Sequence, residues 1–194
     1  MNHLIIFAHP KHESFNNAIL DRVVATLEAK GDQVVVRDLY ALGFNPVLTS
    51  KDMDALRQGN VAQDVAREQA FITQADTIIF IHPLWWTGLP AILKGYVDRV
   101  FTYGFAYRHS QAGGIEGLLS AKKGALITTH GTPSAHYEST GMTKALQHTT
   151  DVGIFNFCGI DVAKHFFFGE VPTVDDATRL DILTDIQEAF RTLF

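Results

Sequence analysis

The segment HPLWWTGLPAILKGYVDRVFTYGFAY, residues 82–107, joins three signals that belong together in an open α/β sheet. The run before it, Ile78-Ile79-Phe80-Ile81, lies between Asp76 and Pro83 and reads as a strand buried on both faces. A short aromatic loop follows, Pro83-Leu84-Trp85-Trp86-Thr87-Gly88. A helix then begins near Pro90, which suits a first turn because its missing N–H has no intrahelical partner there. Leu93, Tyr96, Val97 and Val100 fall at i, i+3, i+4, i+7 and form its inner stripe. Two tryptophans therefore stand at the carboxyl end of a core strand, where open α/β sheets bind ligands. Packing alone accounts for many tryptophans, but this position favours a wall for a flat ring.

The same strand–loop–helix unit recurs on either side. His3 to Ala8 reads as a first strand, and a helix follows from Phe15 with Ser14 as N-cap. Leu20, Val23, Val24 and Leu27 carry its buried stripe, Gly31 ends it, and Gln33 to Arg37 form a second strand. Residues 38–50 are a long connection broken by Gly43 and Pro46, and residues 52–75 are helical with an interruption near Gly59-Asn60. Residues 103–117 are expected as an extended loop over the sheet edge. Gly124 to Thr129 is a further strand, ending in His130-Gly131-Thr132-Pro133-Ser134, and residues 140–153 are expected as a helix. The last strand spans residues 162–168, where Phe166-Phe167-Phe168 implies burial on both faces. Leu183, Ile186, Phe190 and Leu193 stripe a C-terminal helix that starts near Thr173 or Asp175. Five strands with helices between them predict a parallel sheet in the order 2-1-3-4-5, covered on both faces, in one domain spanning residues 1–194.

Composition narrows the function. At 194 residues the chain can bury a sizeable core, and its net charge of −5 and pI of about 5.9 leave no general basic face for nucleic acid. No apolar run approaches a membrane span. The start, MNHLIIFAHP, has too short an apolar stretch and no charged leader for a secretory signal, so a cytoplasmic protein is expected. Cys158 is the single cysteine and reads as a buried small side chain. Nine histidines raise the question of a metal, but no HExxH occurs, and His9 and His12 share a loop without a third ligand, so no metal site is expected. Lys94 and Asp98 have the spacing of a pair that braces its own helix.

Three loops converge at the carboxyl edge of this sheet: residues 9–16, 83–88 and 128–134. The first leads into a helix N-terminus, whose free N–H groups and dipole favour an anion. It carries neither G-x-G-x-x-G nor a phosphate loop ending in G-K-[ST]. With the aromatic loop beside it, the arrangement suits a cofactor that has phosphates and a flat ring, and flavin is the natural candidate.

In order and spacing, AHPKHESFN, DLYALGFNPVLTSKD, PLWWTGLPAILKGYVDRVF with GFAY, TTHG and FCG resemble the NAD(P)H:quinone oxidoreductases of the DT-diaphorase type, from His3 to about Gly159. The middle motif is the specific one; TT-x-G or FCG alone would be weak. The resemblance implies a flavodoxin-like three-layer sandwich and non-covalently bound flavin. It also implies a ping-pong cycle in which NAD(P)H gives a hydride to the flavin and a quinone then accepts it. FAD is favoured by the long 38–60 connection, with FMN the alternative. Shorter bacterial relatives include ancillary subunits of potassium efflux systems, so a flavoprotein that regulates a membrane transporter is the alternative of another class. An azo- or nitro-reductase would differ only in acceptor.

Residue by residue, the resemblance places His9, Ser14, Phe15 and Asn16 at the flavin's ribityl and phosphate groups. It places Pro83, Leu84, Trp85 and Trp86 along the ring, and Thr128, Thr129, His130 and Gly131 at the ring's polar edge. Trp86, Thr87, Tyr107, His109 and Phe157 match the substrate pocket, Tyr107 and Phe157 as contributions to a homodimer with sites at its interface. Tyr137 matches a catalytic tyrosine if one residue is inserted before it. Three departures stand out: His130 occupies a position often held by glycine, His109 replaces a tyrosine, and Thr143 stands where mammalian members have a relay histidine.

Overall fold

A computed structural model describes residues 1–194. Its centre is a five-stranded parallel sheet, β1 (Asn2–Phe7), β2 (Gln33–Asp38), β3 (Thr77–Pro83), β6 (Lys123–Thr129) and β7 (Asp161–Phe168). The strands lie in the order β2-β1-β3-β6-β7, which is 2-1-3-4-5 counted within the sheet, as expected. β3 is central because every residue from Thr77 to Pro83 is buried, and its β-branched run tolerates packing on both faces.

The alternation of β3 divides the core. Ile78 and Phe80 face α3 (Gln63–Gln74) and α4 (Ala91–Val100), packing with Ile72, Leu93, Tyr96 and Phe155. Ile79 and Ile81 face α1 (Phe15–Ala29) and α7 (Asp176–Thr192), packing with Ile19, Val23, Leu27, Ile186 and Phe190. Burial of such a side chain contributes roughly 1.5–3 kcal/mol, so each face is a continuous source of stability. Ser14 Oγ caps α1 by accepting from Asn17 N at 3.2 Å, and Asp175, rather than Thr173, caps α7 by accepting from Thr178 N at 2.8 Å.

The long connection after β2 is ordered by one buried cation. Arg99 of α4 donates to Asp52 at 3.0 Å, to Asp64 at 2.5 Å and to the Asn45 carbonyl at 2.9 Å. Asp52 lies in α2 (Ser50–Arg57) and closes a capping box with Thr49. Burial alone would raise its carboxyl, but hydrogen bonds from Thr49 and Arg99 outweigh that and hold it down at about 2. The break between α2 and α3 comes at Gly59, φ +75°, as the sequence implied.

Three expectations need correction. Residues 103–117 are not a plain extended loop: β4 (Tyr107–His109) and β5 (Ile115–Gly117) pair antiparallel, with Arg108 and Glu116 directly opposite and bonded at 2.8 Å. Strands of three residues are too short to show alternation. The helix expected over 140–153 is divided. α5 (Ser134–Ser139) and α6 (Met142–Gln147) are separated by Gly141 at φ +74°, and a π-helical segment, His148–Phe155, continues α6. Finally, Phe166, Phe167 and Phe168 are only half-buried, because β7 is an edge strand.

The β4–β5 hairpin is fixed at its base. A Cβ on Gly117 would overlap the Gly159 amide and the Cys158 backbone, and Leu119 N donates to the Cys158 carbonyl at 2.9 Å. The hairpin thereby lies directly on the turn that follows Phe157. No helix is long and apolar enough to cross a membrane.

Candidate active site

β1, β3 and β6 are neighbours in the sheet, so the loops after them must meet at one edge. Two hydrogen bonds and one aromatic approach knit them. Leu84 N donates to the Thr129 carbonyl at 2.7 Å, Asn16 Nδ2 donates to Thr129 Oγ1 at 2.8 Å, and the His9 and Trp85 rings lie 6.5 Å apart. His9 is held by its own loop, its Nδ1 accepting from Lys11 N at 3.1 Å. The structure therefore brings His9, Ser14, Phe15, Asn16, Pro83, Leu84, Trp85, Thr128 and Thr129 together.

The middle loop is a two-residue hairpin turn. Trp85 N donates to Gly88 O at 3.2 Å and Gly88 N to Trp85 O at 3.1 Å. Its two central residues, Trp86 and Thr87, have φ of +50° and +54°. That left-handed pattern normally takes Asn and Gly. The turn lifts Trp86 wholly into solvent, 100% exposed, with Trp85 at 41%.

The third loop holds His130 inward. It is 5% exposed and stacks on Tyr137 with ring centroids 4.7 Å apart, and neither ring nitrogen has a partner. Burial pushes its pKa down. Gly131 is exposed beside it. Tyr107 and Phe157 form a separate pair at 5.0 Å, bordering a cavity with Lys94, Phe101 and Cys158. His109 is exposed on β4 and packs on Tyr103 at 5.6 Å. Within one chain, these three aromatic residues are not part of the loop cluster. Burial pushes the Cys158 thiol up to about 11, so it is inert at neutral pH.

A larger cavity of about 510 Å³ lies behind the middle loop, lined by His82, Leu84, Thr87, Thr128, Ile154 and His165 among others. It shares Lys94, Gly153 and Ile154 with the cavity at Tyr107 and Phe157. No local motif marks His82 and His165, which alternation on β3 and β7 brings to the wall.

Two features fit a flavin. Asn16 Oδ1 is a buried acceptor without a partner, at the N-terminus of α1 where the first amides have no intrahelical acceptor. A ribityl phosphate chain carries both the hydroxyl and the anion such a place requires. Trp86, in the turn after Trp85, exposes an unpartnered aromatic face.

Residues 1–190 match a family of flavodoxin-like fold. The chain is 42% identical to an uncharacterized NAD(P)H oxidoreductase of Haemophilus influenzae, with 92% of this chain and 89% of that one aligned. It is 35% identical to NAD(P)H dehydrogenase [quinone] 1 of Cavia porcellus over 83% of this chain and 66% of the other. The chain belongs to the NAD(P)H:quinone oxidoreductase family. The solved NAD(P)H:quinone oxidoreductase of Methanothermobacter marburgensis superposes with a TM-score of 0.88 at 28% identity, covering 100% of this chain and 99% of its own.

Proposed function

We propose that this protein is a flavin-dependent NAD(P)H:quinone oxidoreductase working by alternate entry of nicotinamide and quinone at one face. The observation that carries the reading is the cluster of Asn16, Thr129, Leu84 and the Trp85–Gly88 turn, three loops bonded into one edge with an orphaned polar atom and an exposed indole. Bound flavin would supply the two-electron carrier, and the protein would supply placement and charge. Phe15, Asn16 and the amides of the α1 N-terminus hold the phosphate and ribityl groups, with His9 and Ser14 shaping the loop. Pro83, Leu84, Trp85 and Trp86 flank the ring, while Thr128, Thr129, His130 and Gly131 border its polar edge. Tyr137, stacked on His130, is held where a phenolic O–H can donate. Such preorganised donors stabilise developing negative charge without moving during reaction.

Trp86 and Thr87 line the acceptor's approach. Tyr107, His109 and Phe157 complete it from a second copy of the chain. Their separation from the loop cluster supports that homodimer, as do the exposed apolar residues Tyr103, Ile115, Val152 and Phe157. We take residues 1–194 as one flavin-binding domain, the flavin as FAD with FMN the alternative, and the protein as cytoplasmic. The ordered wall that Arg99 makes of residues 45–64 supports FAD.

The test is an absorbance spectrum of the purified protein. A flavin band bleached by NADH or NADPH and restored by a quinone is expected, and chromatography of the heat-released cofactor separates FAD from FMN. Protein that remains colourless after incubation with either flavin would overturn the reading.

A further inference from the structure

Four side chains, three of them (His82, Thr128 and His165) on the wall of the 510 Å³ cavity and Asp151 behind it, form a single polar chain through the sheet face. His82 Nδ1 lies 3.0 Å from the Pro83 carbonyl, and His82 Nε2 lies 3.3 Å from Thr128 Oγ1. Thr128 Oγ1 lies 2.9 Å from His165 Nε2, and His165 Nδ1 lies 2.7 Å from Asp151 Oδ1. His82 and Thr128 are each 1% exposed. The His165 side chain is 2% exposed and that of Asp151 14%.

The hydrogens can be counted. These four contacts need four hydrogens if all are hydrogen bonds. A neutral His82, Thr128 and a neutral His165 bring one each, which leaves the chain one short while Asp151 is ionised. Direction is set from the Pro83 end. A carbonyl only accepts, so His82 carries its hydrogen on Nδ1 and presents a bare Nε2. Burial, which presses the His82 pKa down to about 4, keeps it in that neutral form. Thr128 then donates to His82 and accepts from His165 Nε2–H. The remaining contact, His165 to Asp151, is satisfied only by an added proton held between them. With that proton the chain has four hydrogen bonds and no net charge. Without it, the chain carries a negative charge at Asp151, whose Oδ1 then accepts from the Thr150 hydroxyl at 2.9 Å but not from His165, and the missing bond and the charge are both costly away from water. The cavity wall itself carries Lys94 of α4, already paired with Asp98 at 2.6 Å.

We propose that Asp151, His165, Thr128 and His82 are a one-proton store for the acceptor half of the reaction. The inference rests on the quinone oxidoreductase reading. Reduction of a quinone to the hydroquinone consumes a hydride and one proton. The hydride comes from the nicotinamide by way of the bound carrier. Thr128 Oγ1, the hydroxyl on the cavity wall, gives its hydrogen to the acceptor's second oxygen and takes the His165 Nε2 hydrogen, while the stored proton stays on His165 Nδ1 against Asp151; the chain is left with one negative charge, which solvent neutralises through Asp151, the most exposed member. His165 and Asp151 act through Thr128 and the cavity rather than by touching the acceptor, so they are positioning residues.

Asp151→Asn is the discriminating variant. The new amide N–H₂ donates to His165 Nδ1, so all four bonds are made with no stored proton and the shape is kept. Ring ¹⁵N NMR of the purified protein at pH 7 should show His165 sharing an additional proton in the wild type and carrying a single ring proton in D151N. Stopped-flow measurements should show reoxidation by a quinone slowed about 100-fold, the scale of general acid catalysis. Reduction by NAD(P)H should stay within about twofold, because hydride arrival draws no proton from the chain. Thr128→Val, which cuts the chain between the two histidines, should slow the same half-reaction. Equal proton counts in the two proteins, or equal slowing of both half-reactions, would overturn the store. Failure of any quinone to reoxidise the protein would remove the functional reading while leaving the proton count standing.

Discussion

Replacing Trp86-Thr87 with Asn-Gly should make the protein more stable. Both residues have positive φ, +50° and +54°, in a two-residue turn closed by the Trp85–Gly88 hydrogen bonds. A non-glycine residue in the left-handed region costs about 1–2 kcal/mol, and β-branched Thr87 belongs at the upper end of that range. Trp86 recovers nothing by burial, since it is fully exposed. Thr87 recovers one hydrogen bond, its hydroxyl donating to the Trp86 carbonyl at 2.7 Å, worth about 1 kcal/mol net. Glycine adds about 0.5–1 kcal/mol of chain entropy to the cost of folding. With asparagine and glycine accepting this geometry cheaply, the balance favours the double variant by about 1 kcal/mol. For a chain of this length that raises Tm by about 2–4 °C. The assay is thermal unfolding of the cofactor-free protein beside the wild type, with urea titration to confirm an unchanged m-value. A Tm that is unchanged or lower would mean that the turn stores no strain, or that Trp86 makes contacts in solution. The same variant should lose most quinone turnover, which would place the strain in the service of presenting the indole.

Three further outcomes follow from the packing. Arg99→Ala should destabilise the fold by about 2 kcal/mol in urea, because it removes the donor shared by half-buried Asp52, Asp64 and the Asn45 carbonyl. His82 should make the fold acid-sensitive: its folded pKa of about 4 lies below the ordinary 6.5, so stability present above pH 6.5 is lost as pH falls toward 4. The loss is about 3 kcal/mol, and His82→Leu should flatten that limb of a stability–pH curve. Asn16→Ala should leave the unfolding midpoint of cofactor-free protein within about 1 kcal/mol, yet lower the flavin retained through gel filtration; full retention would release Asn16 from the anchoring role.

Most of the architecture could be read before any coordinates because each core strand announces itself locally. Ile78 to Ile81 is apolar on both faces, Ser14 marks a helix start, and each strand is followed by a periodic helix, which leaves few topologies. The loop cluster followed from topology, since carboxyl ends of neighbouring parallel strands must adjoin. What stayed hidden depends on distance along the chain. The β4–β5 hairpin has strands too short to alternate, and its register is set by Arg108 opposite Glu116. The π-helical segment, His148–Phe155, differs from an α-helix by an i→i+5 rather than i→i+4 ladder, which residue spacing over eight residues does not reveal. His82, Thr128, His165 and Asp151 meet across 46, 37 and 14 residues, so no spacing within one motif could reveal them. His130 was visible only as an oddity in TTHG; that it turns inward and stacks on Tyr137 required the Gly169 turn, where a Cβ would strike the Ser134 hydroxyl, the Thr132 carbonyl and the His130 ring.

The seam at Gly117 and Gly159 has a mechanical meaning. Backbone there meets backbone, with no flexible side chain between to absorb displacement. The hairpin bearing Tyr107 and the turn following Phe157 therefore behave as one lever with its fulcrum at the seam. The far end of the hairpin, Ser110 to Gly114, hangs free of that fulcrum, so changes of length at its tip should pass unnoticed by the two aromatic rings, whereas a single methyl group at residue 117 would swing both.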